Sequence, residues 1–138
     1  MPGLLAAALE GLPPEVTFSR EEQDYGIHNG LVETSLMLHL CPDLVRTQHA
    51  TDFRSAWLAH ERTMSMLTPE GCVGLGRETQ DLNPAGALGN AGAATAGIGK
   101  LILDHQAGRL TQLLREVGAL DLDSWILDGS QITPVYCP

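Results

Sequence analysis

Residues 25–45 read YGIHNGLVETSLMLHLCPDLV, and they predict a helix that carries a carboxylate in its first turn. Gly30 favours a turn before the helix, and Pro42 ends it. We therefore expect a helix over residues 31–40. Glu33 lies near its start, where free backbone N–H groups and the positive end of the helix dipole favour an ionised carboxylate. The sequence thus places an anionic side chain at a defined point of the fold.

The composition indicates one globular domain over residues 1–138. Hydrophobic residues make up 43% of the chain and charged residues 18%, which excludes a disordered protein. Seventeen acidic residues against eight basic ones leave a net charge of −9. Binding to nucleic acid requires clustered Lys and Arg, and an acidic surface is repelled by anionic membranes. We therefore expect neither a nucleic-acid partner nor a membrane partner.

The cysteines are three in number and far apart, and they form no CxxC pair. We expect free structural thiols rather than a disulfide framework or a zinc site, and free thiols fit a reducing compartment. No apolar run approaches the roughly 20 residues that cross a bilayer. The sequence therefore predicts a cytoplasmic protein.

Outside the central helix, the pattern predicts a mixed set of elements. We expect helices over 2–12 and 93–118, a strand over 15–19, and a polar loop over 20–26. A weaker pattern allows a helix from Asp52 to Met66 with Phe53, Trp57 and Met64 as packing residues. Within helix 31–40, Leu36, Met37 and Leu40 are expected on one face.

The remaining segments are rich in glycine or lack periodicity. Six glycines in residues 71–92 predict a long irregular segment, and such segments are usually functional or disordered. Glycines at 97, 99 and 108 either weaken the last helix or allow close packing against a neighbour. Gly118 is expected to cap that helix. The tail, residues 119–138, contains the apolar cluster 125–127 and is expected to dock as an arm.

Two segments together resemble the creatininase family of amidohydrolases. Residues 28–38, HNGLVETSLML, followed by PDLV at 42–45, are similar to the family pattern HAGxxETSxML…PxLV. Residues 78–100, ETQDLNPAGALGNAGAATAGIGK, are similar to the family's substrate-facing loop and the helix after it. The resemblance covers about residues 12–118.

The resemblance implies a function and a set of site residues. Glu33 matches a metal ligand, and His28 is the expected catalytic residue, which orients Glu33, donates to the substrate or caps the turn. Asp81, Asn83 and Asn90 are the expected substrate-loop residues. The implied cofactor is a divalent metal, namely zinc, manganese or iron. The implied reaction is hydrolysis of a non-peptide C–N bond in a small cyclic amide or formamide.

The resemblance also implies an α/β fold, here a partial layered fold that is helix-rich with a few short strands. The family's amino-terminal half supplies a Glu, a His and an Asp, and residues 1–24 show no counterpart, so we expect its carboxy-terminal half only. Leu31 stands where family members can carry a second ligating residue, and Asn29 where they carry a small one. Glu33 could instead only stabilise a helix start.

Two interpretations remain open at this point. The chain is either an amidohydrolase part or a non-catalytic, truncated or degenerate module that packs with a partner subunit. In both cases we expect a homo-oligomer or a partner chain that supplies the missing half.

Overall fold

The computed structural model describes residues 13–69 and 73–121, which are mostly helical and contain one small sheet. The four α-helices in these residues are α1 (Arg20–Tyr25), α2 (Leu31–Leu40), α3 (Thr79–Leu82) and α4 (Ala96–Gly118). The sheet pairs β1 (Asp52–Phe53) with β2 (Gly89–Asn90) in antiparallel register, Asp52 opposite Asn90 and Phe53 opposite Gly89. The predicted helix-rich fold with a few short strands is confirmed.

The region before α2 differs from the sequence-based expectation. The predicted strand over 15–19 is wrong, and the predicted loop over 20–26 is helix α1. Ser19 caps this helix because its hydroxyl accepts a hydrogen bond from the Glu22 N–H at 3.1 Å. The acidic residues of the first turn favour the helix through its dipole. The alternation of residues 15–19 was too short to predict a strand. The polar composition of residues 20–26 concealed a helix that depends on its cap.

Helix α2 has the predicted bounds, since it begins after Gly30 and ends before Pro42. Its buried residues are Leu31 and Ser35. On the face expected to carry Leu36, Met37 and Leu40, Met37 is 41% exposed and Leu40 55% exposed. The small Ser35, rather than the large apolar side chains, faces the neighbouring helix.

Helix α4 begins at Ala96, three residues later than predicted, because the Thr95 hydroxyl accepts a hydrogen bond from the Ile98 N–H at 3.1 Å. Its last residue is Gly118, and Ala119 rather than Gly118 is the cap. A Cβ atom added at Gly99 would lie 1.9 Å from the Ser35 carbonyl oxygen. Gly99 therefore allows close packing of α4 on α2, which was one of the two roles expected for this glycine.

The helix expected from Asp52 to Met66 is wrong. This segment forms β1 and a 3-10 turn, Ala56–Ala59. Trp57 is buried, as expected of a packing residue, and it joins Leu82 and Leu88 in an apolar cluster. Met64 is 44% exposed. The periodicity of the apolar residues is weak here because the segment is not one helix, and its buried residues do not lie on a helix face.

Residues 73–92 of the glycine-rich segment are irregular as predicted, with α3 and β2 as their short regular parts. Three further 3-10 turns connect the elements: Pro42–Leu44, Thr47–His49 and Ala91–Ala93. The predicted helix over 2–12 and the apolar cluster 125–127 lie outside the described residues. None of the helices in the described ranges combines the length and the apolar character needed to cross a membrane.

Candidate functional site

The turn before α2 presents His28 and Asn29 at the surface. His28 pairs with Leu88 as an antiparallel bridge, in which the Leu88 N–H donates to the His28 carbonyl at 2.7 Å. Asn29 has φ of 53°, a left-handed conformation that asparagine tolerates better than most residues. This conformation explains why an asparagine can stand at this position of the turn.

Glu33 and His28 come together at this turn. The Glu33 carboxylate accepts a hydrogen bond from the Asn29 N–H, and its Oε2 lies 3.9 Å from His28 Nδ1. The two side chains are 54% and 48% exposed. Both predicted chemical groups therefore lie side by side and open to a ligand, while the carboxylate also closes the first turn of α2.

A cavity of about 360 Å³ lies beside Glu33. Its volume falls within the roughly 300–1,000 Å³ range of small-molecule sites. One part of its lining comes from α2 and the turn before it, and another from the segment after α2 and β1. The lining residues are Asn29, Glu33, Thr34, Met37, Leu44, Val45, Arg46, His49, Ala50, Phe53, Ala87 and Ala91.

The expected substrate-loop residues Asp81, Asn83 and Asn90 are outside this lining. Asp81 accepts from the Glu78 N–H at 2.9 Å and completes the cap of α3. Asn83 donates to the Arg54 carbonyl, and the Asn90 side chain accepts from the Ala93 N–H. These side chains shape the loop through backbone hydrogen bonds, and their contact with a substrate stays a prediction.

Glu22 is a site residue that the sequence analysis missed. It is only 7% exposed, and its carboxylate accepts from the Leu31 N–H at 2.7 Å and from the Asn90 N–H at 2.6 Å. Gly30, which precedes α2, has no side chain with which to cap it, so Glu22 takes that role from nine residues before Leu31. One carboxylate thereby joins the turn that carries Glu33 to the loop that carries Asn90.

Three glycines surround this carboxylate. A Cβ atom at Gly26, Gly30 or Gly89 would lie 2.5–2.8 Å from Glu22 Oε1. Gly89 also has φ of +117°, which favours glycine. The glycines of both family-like segments therefore leave room for one carboxylate, that of Glu22. In the sequence, the glycines at 26 and 30 shortly after Glu22 are the only local sign of this contact.

A second contact joins the same two segments. Ser35 is fully buried, and its hydroxyl accepts a hydrogen bond from the Thr95 N–H at 3.1 Å. Ser35 belongs to the ETS of the first segment and Thr95 to the AAT of the second. The hydrogen bond between Ser35 and Thr95 therefore holds α2 against the start of α4.

An ion pair supports α1 next to the sheet. Arg54 donates to both oxygens of Glu21, at 2.8 and 2.9 Å. The hydrogen bond to Arg54 lowers the pKa of Glu21, and the same bond raises the pKa of Arg54. Because the Arg54 carbonyl also accepts from Asn83, this arginine links α1 to the glycine-rich loop.

The described residues contain part of a metal site at most. Within 13–69 and 73–121, no three His, Cys, Asp or Glu side chains lie close enough to share a metal ion. Glu33 and His28 offer one oxygen and one nitrogen donor, whereas a catalytic metal takes about three protein ligands. The donor types fit a divalent metal, but these two residues do not complete its site.

Comparison with known proteins gave a match at the level of a family. A family model described as creatininase, creatinine amidohydrolase, matches residues 6–114, which is well over half of the chain. No match to the chain was found among curated proteins or among solved structures. The matched range includes both family-like segments and every residue of the candidate site.

Proposed function

The chain belongs to the creatininase family, and on this premise we propose that it is a metal-dependent amidohydrolase acting on a non-peptide C–N bond. The proposed substrate is a small cyclic amide or formamide. The observation that carries this proposal is the juxtaposition of Glu33 and His28 at 3.9 Å beside the cavity. Glu33 lines the cavity, and a carboxylate with an imidazole beside it is a suitable pair of groups for binding and hydrolysing an amide.

In this proposal Glu33 is a metal ligand and His28 assists at the substrate. The Asn29 N–H fixes one Glu33 oxygen, so that the carboxylate keeps a constant orientation. His28 is fixed through its backbone by Leu88, and its ring lies between the Asn29 amide, 3.1 Å from Nε2, and the Glu33 carboxylate, 3.9 Å from Nδ1. The further ligands come from outside the described residues or from another chain.

Metal analysis of purified variants tests the proposal. The chain is loaded separately with zinc, manganese and iron(II), desalted, and assayed for bound metal and for release of formate from N-formyl compounds. We expect metal to bind the native chain and to be lost from Glu33→Ala, with weaker retention in His28→Ala. Asp43→Ala is the matched control, since Asp43 is an exposed carboxylate in the turn after α2.

The second candidate is a non-catalytic module that packs with a partner subunit. The observation that favours it is the presence of only two metal donors at the site in the described residues. Absence of bound metal from the native chain with all three metals, together with absence of hydrolysis, would support this candidate. Metal binding that Asp43→Ala abolishes as fully as Glu33→Ala would contradict the assignment of Glu33.

A further inference from the structure

The cavity beside Glu33 contains an arginine whose charge is not neutralised. Arg46 lines the cavity, and its position is set by the 3-10 turn that follows it, where the His49 N–H donates to the Arg46 carbonyl at 3.0 Å. Its side chain forms no ion pair with any residue in 13–69 or 73–121, although Asp43 is three residues before it. A positive charge therefore remains available to a ligand.

The other arginines near the fold's first helix behave differently. Arg20 pairs with Asp24 and Glu61, and Arg54 pairs with Glu21. Arg62, Arg109 and Arg115 form no ion pair with a described residue either, so Arg46 differs from them in lining the cavity. Arg46 is exposed at the cavity, and a guanidinium binds a carboxylate through two parallel hydrogen bonds.

The other residues that line the cavity indicate which chemical groups a ligand there would carry. Glu33 lies at the cavity and accepts a hydrogen bond from the Asn29 N–H, while Met37, Leu44 and Phe53 provide apolar surface. We infer that the substrate is an amide with an apolar body and a carboxylate, and that Arg46 binds the carboxylate. This inference rests on the proposed function, since it places the scissile amide near Glu33 and the anionic group near Arg46.

Two probes that differ only in charge test the inference. N-formyl-L-leucine carries a carboxylate where N-formyl-L-leucinamide carries a neutral carboxamide, and both have an apolar side chain. Binding of each probe to the full chain is measured by calorimetry or by NMR titration. We expect the carboxylate to bind about tenfold more tightly, because a charge-assisted hydrogen-bonded pair is stronger than a neutral one. Added salt should reduce this preference.

Variants assign the preference to one residue. Arg46→Gln should bind the two probes about equally, and Arg46→Lys should keep only part of the preference because it lacks the planar fork. Arg62→Gln removes the same charge from an exposed arginine that does not line the cavity, and it should keep the full preference. Circular dichroism and thermal melting check that each variant is folded.

The outcomes separate this inference from the proposed function. Equal binding of the two probes by the native chain, or a preference that survives Arg46→Gln, would overturn the role of Arg46. A preference lost equally in Arg62→Gln would show a general charge effect and also overturn it. Formate release without a preference leaves the amidohydrolase proposal standing alone. A preference without formate release upholds Arg46 as a carboxylate-binding residue and contradicts hydrolysis of these formamides.

Discussion

Glu22 is the single side chain on which the geometry of the site depends most directly. Its two oxygens accept backbone N–H groups from segments that are far apart in sequence, Leu31 in α2 and Asn90 in β2. Hydrogen bonds to a charged acceptor are stronger than neutral ones, and a buried N–H that loses its partner is costly. The carboxylate therefore couples the stability of the fold to the position of Glu33.

We expect Glu22→Ala to lower the free energy of unfolding by about 3 kcal/mol, because two backbone N–H groups lose a charged acceptor. Glu22→Gln should cost about half as much, since its amide oxygen can still accept from one of them. Urea denaturation followed by circular dichroism measures both. Glu15→Ala, at an exposed position, is the control. Equal stability of Glu22→Ala and Glu15→Ala would refute this role.

The Glu21–Arg54 pair makes a smaller, pH-dependent contribution. The pKa of Glu21 is lower in the folded chain than the ordinary value of 4.5 because of its hydrogen bond to Arg54. The stabilisation is therefore present above the ordinary pKa and is lost as the pH falls through the lowered one.

We expect the native chain to lose more stability than Glu21→Gln between about pH 5 and about pH 3, where carboxylates titrate. The effect should be small because the pair is at the surface. Urea midpoints at the two pH values measure it. Glu15→Gln should follow the native chain, and a Glu21→Gln profile that also follows it would remove this pair as a cause.

The contact between α2 and α4 depends on small residues rather than on large apolar ones. Gly99 of α4 lies against the Ser35 carbonyl, and Ser35 also accepts from Thr95. Close approach of two helix backbones excludes a side chain at the point of contact. The two helices are therefore positioned by a glycine and a serine, in the same region that bears Glu33.

We expect Gly99→Ala to destabilise the protein by about 1–3 kcal/mol, since its Cβ would overlap backbone atoms of α2 and force the helices apart. Gly108→Ala is the matched control in the same helix, because a Cβ there meets open space. It should stabilise the chain by about 0.5–1 kcal/mol through its better helix propensity. Thermal melting of the two variants should shift in opposite directions.

Over the whole molecule, α4 extends well beyond the helix it packs on. Its 23 residues span roughly 35 Å, whereas the ten of α2 span roughly 15 Å. Leu110, Leu113 and Val117 continue, at helical spacing, the face that Gly99 and Ile102 present to α2. Leu110 is 47% and Val117 59% exposed, so the described residues leave this part of the face uncovered.

We expect this uncovered face to drive self-association, because contiguous exposed apolar surface marks interaction sites. Sedimentation velocity over a range of concentrations should show oligomers for the native chain and a shift to monomer for the double variant Leu110→Glu with Val117→Glu. Thr111→Glu places one negative charge away from that face and should associate as the native chain does. A strictly monomeric native chain would contradict the expectation.

Local sequence was sufficient where a single residue controls the backbone. Gly30 precedes α2, Pro42 follows its end because proline cannot continue a helix, and the periodic residues of α4 mark a long helix. The ordered ETS pattern also pointed to the family, which the family match confirms. These features depend on residues a few positions apart, so they can be predicted from the sequence. The roles of Glu33 and His28 stay predictions.

Only the tertiary structure decided how the separate segments meet. Burial of Glu22 depends on Asn90, 68 residues away, and the packing role of Ser35 depends on Gly99 and Thr95. The place of Arg46 at the cavity depends on the path of the chain after α2. The local sequence around a residue does not indicate such partners, because hydrogen bonds and packing contacts between distant segments form only when the chain folds.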